Sequence, residues 1–324
     1  MALQENLRRR AIGRHSREII LLCIVCGLTL LFSLLSPSFF QLYSMMNLIK
    51  KVAALAIVSV GMTLIILTGG LDLSIGSSLA FAGAASAVVL NSTNSALLGF
   101  CTAIGLAIAV GAVNGLFIGR LKVNPVVFTL AMMGIARTGS LVITKASPIS
   151  ISNEAFKWLG QAKIGSGRSA VPFVTILIGV LFLAFNVLLR RTVFGKAIYA
   201  IGGNDAAAKV AGVRTSSMRT WAYVIMGFLV GVASIFTVGR GSAAVPLAGG
   251  GLEFEAISAV IIGGVRLEGG SGSLVGTLLG VVLIGILFNG FALMDISPYW
   301  QTLAKGLLLL AAVLLNTNVL KSRD

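Results

Sequence analysis

The stretch RRTVFGKAIYAIGGNDAAAKVAGVRTSSMR, residues 190–219, decides how the rest of the chain is read. Arg190, Arg191, Lys196, Lys209, Arg214 and Arg219 face one acid, Asp205, and a long apolar run flanks the stretch on each side. A basic island between apolar runs is the mark of a polytopic membrane protein, whose Lys and Arg gather in cytoplasmic loops. Inside the island, Asn204 and Asp205 can cap a short helix because their side chains accept hydrogen bonds from free backbone N–H groups. Ala206–Ala211 is strongly helix-forming, and Gly212 can end the helix in the left-handed conformation. The spacing predicts one short, alanine-rich helix on the cytoplasmic surface. Such a helix fits a groove on a soluble partner; the competing reading is a solvated loop that only fixes topology.

The composition around this island agrees. The 324-residue chain is 57% hydrophobic and only 11% charged, whereas a soluble domain carries about 25% charged residues. Too few ionic groups remain to cover a water-facing surface. The apolar runs are continuous and of helix-spanning length, about 18–23 residues, unlike the short alternating segments of a transmembrane barrel. The net charge of +15 has no aromatic-interleaved basic patch behind it, so no nucleic-acid partner is expected. The fold class is an all-α polytopic membrane protein.

Candidate spans are 19–36, 52–70, 75–91, 96–118, 125–144, 171–189, 220–239, 255–265, 271–292 and 302–320. About ten crossings place both termini in the cytoplasm. They define a cytoplasmic tail at 1–18, a single transmembrane domain at 19–320 with its large inner loop at 190–219, and a second tail at 321–324. The basic residues of the inner segments outnumber Lys50, Lys51, Lys145, Lys157, Lys163, Arg168 and Arg240 on the outer side, as the positive-inside rule requires. Arg8, Arg9 and Arg10 precede the first apolar run, but no small-residue cleavage site follows, so it reads as a retained helix rather than a signal peptide. Segment 255–265 is too short to cross about 30 Å of hydrocarbon as helix alone. It is either a half-helix completed by irregular backbone or a re-entrant segment.

Glycine-rich breaks interrupt the spans. Gly69-Gly70-Leu71-Asp72-Leu73-Ser74-Ile75-Gly76 and Gly263-Gly264-Val265-Arg266-Leu267-Glu268-Gly269-Gly270 echo each other. In the ten-span topology they share an orientation, which an inverted duplication would not produce, so they read as similar turn chemistry. Gly69, Gly70, Ser74, Gly76, Gly263 and Gly264 are candidates for parts that bend. Gly111 with Gly115, and Gly276 with Gly280, have the small-xxx-small spacing that lets helices approach closely in lipid. Asp72 and Arg137 are ionisable groups at membrane depth, which are costly without a purpose or a partner. Either they pair or cap broken helix ends, or one lines a solute path. Lys305 can snorkel to the interface.

Catalytic patterns are absent. The only histidine, His15, is in the N-terminal tail, and no metal-ligand spacing or nucleophile elbow occurs. Cys23, Cys26 and Cys101 fall in apolar runs and read as packing residues, without a disulfide framework. The run Gly269–Ser273 lacks the Lys of a phosphate-binding loop. No enzyme activity and no cofactor are expected of this chain, and ATP-driven work would have to come from another polypeptide. An ion-coupled carrier with Asp72 as a titrating relay is the competing class.

Three stretches carry a family resemblance: Val60–Ser77, Phe194-Gly195 through Gly202-Gly203-Asn204-Asp205-Ala206-Ala207-Ala208 to Val213, and Glu253 through Val265 with Gly269–Gly272. Together they resemble the permease subunit of bacterial ATP-binding cassette importers for monosaccharides, of the ribose type, over residues 45 to 316. Leu71 replaces the family's isoleucine in its Gly-Gly-Ile-Asp-Leu-Ser pattern. The resemblance implies ten helices and a second permease subunit around a central path in the bacterial inner membrane. It also implies a cytoplasmic ATPase that binds ATP and Mg, and a periplasmic sugar-binding protein. It assigns Gly195, Gly202, Gly203, Asn204, Ala207, Gly212 and Arg214 to the ATPase-coupling segment, and it favours a true crossing at 255–265. The sugar is ribose-like, with other pentoses, hexoses and the furanose-like signalling sugar autoinducer-2 left open.

Overall fold

A computed structural model describes residues 2–165 and 170–321, with side chains from 18 to 165 and 170 to 314. Arg168 and the tail 322–324 lie outside the described residues, as do the side chains of His15 and the tail arginines. The helices are α1 (Ala2–Leu35), α2 (Leu42–Leu67), α3 (Ile75–Thr93), α4 (Ala96–Gly115, extended by a π-helical turn at Leu116–Arg120), α5 (Pro125–Thr144), α6 (Glu154–Gln161), α7 (Phe173–Arg191), α8 (Val193–Gly203), α9 (Asp205–Val210), α10 (Thr215–Gly241), α11 (Leu252–Ile262), α12 (Leu274–Leu293) and α13 (Pro298–Lys321). Eight of the described helices are long and apolar enough to span a bilayer. With α11 and α13 they account for the ten expected segments.

Two-residue strands occur at β1 (Ile149–Ser150), β2 (Lys163–Ile164), β3 (Val171–Pro172) and β4 (Ala243–Ala244). They pair antiparallel, Ile149 with Ala244 and Lys163 with Pro172. The β1–β4 pair and the contact of Gly160 with Gly239 and Arg240 hold residues 149–161, including α6, against the end of α10. Phe156 of α6 is fully buried and stacks on Phe100 at 4.8 Å.

Local chemistry sets the boundaries. Asn124 accepts from the N–H groups of Val126 and Val127 ahead of Pro125, so α5 starts on a capped turn with proline where its missing N–H costs nothing. Asn153 caps α6 and Ser273 caps α12 in the same way. The second span differs from expectation: α2 begins at Leu42, so Lys50 and Lys51 sit inside a helix rather than in the loop before it. Its first turns pack through Leu48 and Val52 on Gly285 of α12. Burial there, and not hydropathy, decides the start.

The seam between α4 and α10 is built on close backbone approach. Gly111 lies on the backbone of Tyr223 and Gly227, and Gly115 on that of Thr220. Thr220 and Ser216 donate to the carbonyls of Gly115 and Gly119 at 2.9 and 2.5 Å. Gly276 and Gly280 of α12 meet Gly263 and Ala259 in the same manner. Both expected small-residue pairs are therefore packing surfaces. Elsewhere bulky side chains fill the core, with Ile57, Met62, Leu64, Ile65 and Ile66 of α2 fully buried. Cys23, Cys26 and Cys101 are free and lie on the outer surface of α1 and α4.

Segment 242–273 passes from one end of the bundle to the other. It starts at β4, paired beside the end of α5, and ends where Ser273 donates to Glu18 at 2.6 Å near the start of the membrane-spanning part of α1. Eleven helical residues in α11 follow a run of turns at 246–251, and the end-to-end course of the segment favours the reading of 255–265 as a half-helix completed by irregular backbone.

Replacing Gly227 by leucine should break the α4–α10 seam. An overpacked core residue costs about 1–3 kcal/mol, and here the obstacle is backbone. The expected result is a lowered melting temperature and aggregation in detergent, read by fluorescence-detected size exclusion. Gly134→Leu, where nothing stands within 4 Å, should leave the profile unchanged.

Candidate functional site

The island at 190–219 folds as two helices, not one. Thr192 ends α7 and caps α8, accepting from Gly195 N at 3.2 Å while donating to Leu188 O at 2.6 Å. Gly195 packs on the backbone of Leu188 and Leu189, where no Cβ fits. The turn from α7 into α8 needs that glycine. α8 was missed because its apolar face (Ala197, Ile198, Ile201), buried against the bundle, reads in sequence as a continuation of the loop. Asn204 caps α9 through Ala207 N at 2.9 Å, and Gly212, at φ +83°, closes it. Asp205 pairs with Lys209 and, at 3.4 Å, with Arg219. Gly203, Asn204, Ala207, Gly212 and Arg214 are exposed, and Val210 is 92% exposed. The result is a small-residue face with net positive charge.

The largest departure from expectation lies beneath that face. The two echoing glycine breaks, distant in sequence, touch each other and α8. Gly270 N donates to Leu67 O at 3.0 Å, and Gly69 packs on the Glu268 carbonyl at φ +76°. Gly202 inserts between Leu67 O and the backbone of Gly269 and Gly270. Tyr199 donates to Gly272 O at 3.0 Å. Three stretches thus meet backbone to backbone, and a Cβ on Gly202 would strike main chain. Gly203 has open space around it. Gly263 packs on the main chain of Gly276, and Gly264 supplies φ +88° for the turn out of α11.

Asp72 and Arg137 do not pair. Asp72 Oδ1 accepts from Ser74 N at 2.8 Å and Ser74 Oγ at 2.6 Å, and Asn114 donates to Ser74 Oγ at 3.0 Å. The carboxylate, 3% exposed, caps the broken start of α3. Tyr223, fully buried, donates to Leu71 O at 2.9 Å, and Leu73 N donates to Thr129 Oγ1 at 3.1 Å. Arg137 donates to the carbonyls of Pro246 at 3.2 Å and Ala248 at 3.1 Å, joined by Ser140. It caps the run of turns that leads into α11. There Gly249, at φ +68°, crosses Gly76 at backbone contact. Asn114, Thr129, Tyr199 and Tyr223 were missed. Asn114, a lone amide inside an apolar run, is the one whose sequence setting carried a signal. Lys305 pairs with Glu255 and sits 4.9 Å over the Phe288 ring, so it is held within the bundle.

The described residues thus form a polytopic bundle of interrupted helices with an exposed two-helix face anchored on the breaks, an architecture of the membrane-permease class. A family profile described as "Branched-chain amino acid transport system / permease component" matches residues 44–313. The chain belongs to that permease family. It is 38% identical over 306 residues to the ribose import permease protein RbsC of Escherichia coli (strain K12), covering 93% of each chain. It is 37% identical over 291 residues to RbsC of Bacillus subtilis (strain 168), covering 89% of each. It is 34% identical over 296 residues to the L-arabinose ABC transporter permease protein AraH of Azospirillum brasilense, covering 91% of this chain and 86% of that one. No solved structure matches.

The α8–α9 face carries a pH dependence. Burial alone would raise the Asp205 carboxyl, but the Lys209 hydrogen bond and the Arg219 charge outweigh it and hold the group below the usual aspartate range. A lowered carboxyl stabilises the fold above its unfolded-state value, near 3.9, and that contribution fades as pH falls through the lower folded-state value. The protection factors of the α9 amides, with the intrinsic exchange rate divided out, should therefore fall at acid pH in the wild type. Asp205→Asn should show the lower protection already at neutral pH.

Proposed function

We infer that this chain is the membrane permease subunit of a bacterial ATP-binding cassette importer for a monosaccharide, with α8 and α9 docked in the groove of a cytoplasmic ATPase. The observation that carries the reading is the backbone junction of Gly202 with Leu67 and Gly270, because it ties the exposed face to both interrupted helices. A displacement of α8 moves the α2–α3 break and the α11–α12 break together. ATP and Mg belong to the ATPase, and a periplasmic binding protein captures the sugar, so the permease needs no tight sugar site. The subunit works in the inner membrane beside a second permease subunit. The ribose and arabinose relatives support a pentose as cargo. Gly69, Gly70, Gly76, Gly263 and Gly264 are the bending points. Asp72, Ser74 and Arg137 hold the broken ends in register with them.

The ion-coupled alternative rests on Asp72. Its hydrogen bonds to Ser74 give that carboxylate a capping role instead, which supports the importer.

Gly202→Ala should insert cleanly in the membrane but loosen the link between ATP hydrolysis and uptake. Residues on a coupling route shift it by roughly two- to thirtyfold. Gly134→Ala, in open space on α5 away from that face, should behave as wild type. In vesicles holding the permease, its ATPase and its binding protein, a protonophore should leave uptake unchanged while ATP is held constant. Uptake that collapses under the protonophore would establish the ion-coupled reading.

A further inference from the structure

At the end of the bundle opposite α8 and α9, Lys50, Lys51 and Arg240 line a cleft between α2, α10 and the start of α7. Lys163 lies close enough for its charge, with that of Arg240, to act on Lys50. We propose that this cleft binds the phosphate group of an anionic phospholipid.

The cations come from rigid elements. Arg240 Nη1 donates to Lys50 O at 2.6 Å, which aims the guanidinium and leaves its other N–H groups for a ligand. Gly160 of α6 packs on the backbone of Gly239 and Arg240 and fixes the end of α10. Lys163 is set by its strand pairing with Pro172. Among the described residues none of these cations forms an ion pair, and Glu154 at the start of α6 is held by Lys157 at 3.0 Å. Like charges brought together without a counter-ion repel, and an anion between them removes that repulsion.

The wall of the cleft names the kind of anion. Ala53, Ala54, Val174 and Phe236 line it beside the cations, and they belong to membrane-spanning helices. Water-borne phosphate needs no such wall, and an acidic protein surface reaches a protruding loop more readily than a cleft between spans. Exposed aromatics mark the same end of the bundle. Tyr43 is 76% and Trp158 59% exposed, as expected of Tyr and Trp at the headgroup level. A diacyl phosphate meets both features, with its phosphate on the cations and a chain along the apolar wall.

The test uses the full-length protein in nanodiscs of phosphatidylcholine alone or mixed with phosphatidylglycerol. Native mass spectrometry after extraction should show phosphatidylglycerol retained in preference to phosphatidylcholine. Lys51→Gln and Lys163→Gln should each lower that preference about fivefold, as for one interfacial charge, without changing the melting temperature in phosphatidylcholine. Millimolar inorganic phosphate should not displace the lipid. Equal retention of the two lipids, or unchanged retention in the double variant, overturns the proposal. Displacement by inorganic phosphate overturns it in favour of a small-anion site. A double variant that keeps its lipid preference but loses affinity for the purified binding protein overturns it in favour of a protein-docking surface.

Discussion

Backbone that leaves the helical path inside a membrane must find its hydrogen bonds within the protein, because lipid supplies none. This chain leaves the helical path at 68–74 and on both sides of α11, at 242–251 and 263–273, and several of its buried polar residues answer that need. Tyr223, Thr129 and Asp72 serve the carbonyl of Leu71 and the N–H groups of Leu73 and Ser74. Arg137 and Ser140 serve the carbonyls before α11. The side chains that looked like path-lining candidates hold the irregular backbone in place.

The second constraint is distance. Where the breaks meet, main chains touch, and each contact has a glycine on at least one side. Gly202 against Leu67, Gly76 against Gly249 and Gly263 against Gly276 each occupy a position where an added Cβ would strike backbone. Close-packed, hydrogen-bonded contacts transmit displacement poorly if loose and well if tight. The exposed face and the buried breaks are therefore in direct backbone contact, as α4 and α10 are beside them.

Much of this was legible. Composition and the lengths of apolar runs gave the fold class, and the caps at Asn204 and Gly212 were readable because their side-chain chemistry is local. Small-xxx-small spacing identified both close helix pairs. The contact between the two glycine breaks was hidden because it depends on tertiary proximity, and nothing in either segment marks the other as its neighbour. Similar wording in the two segments suggested only similar turns. The partners of Arg137 were hidden for the same reason, because they are carbonyls of a distant segment; Asp72 instead binds Ser74 two residues on, the capping alternative that its local sequence already offered. The early start of α2 went unseen because Lys50 and Lys51 depress local hydropathy at the headgroup level without ending the helix.

The three cysteines lie on the outer faces of α1 and α4, turned to the hydrocarbon rather than to water. Water-soluble maleimides should therefore find little native background. A single thiol engineered onto the solvent face of α9 could report distances to the ATPase by spin or fluorescence labelling, with the natural cysteines left in place.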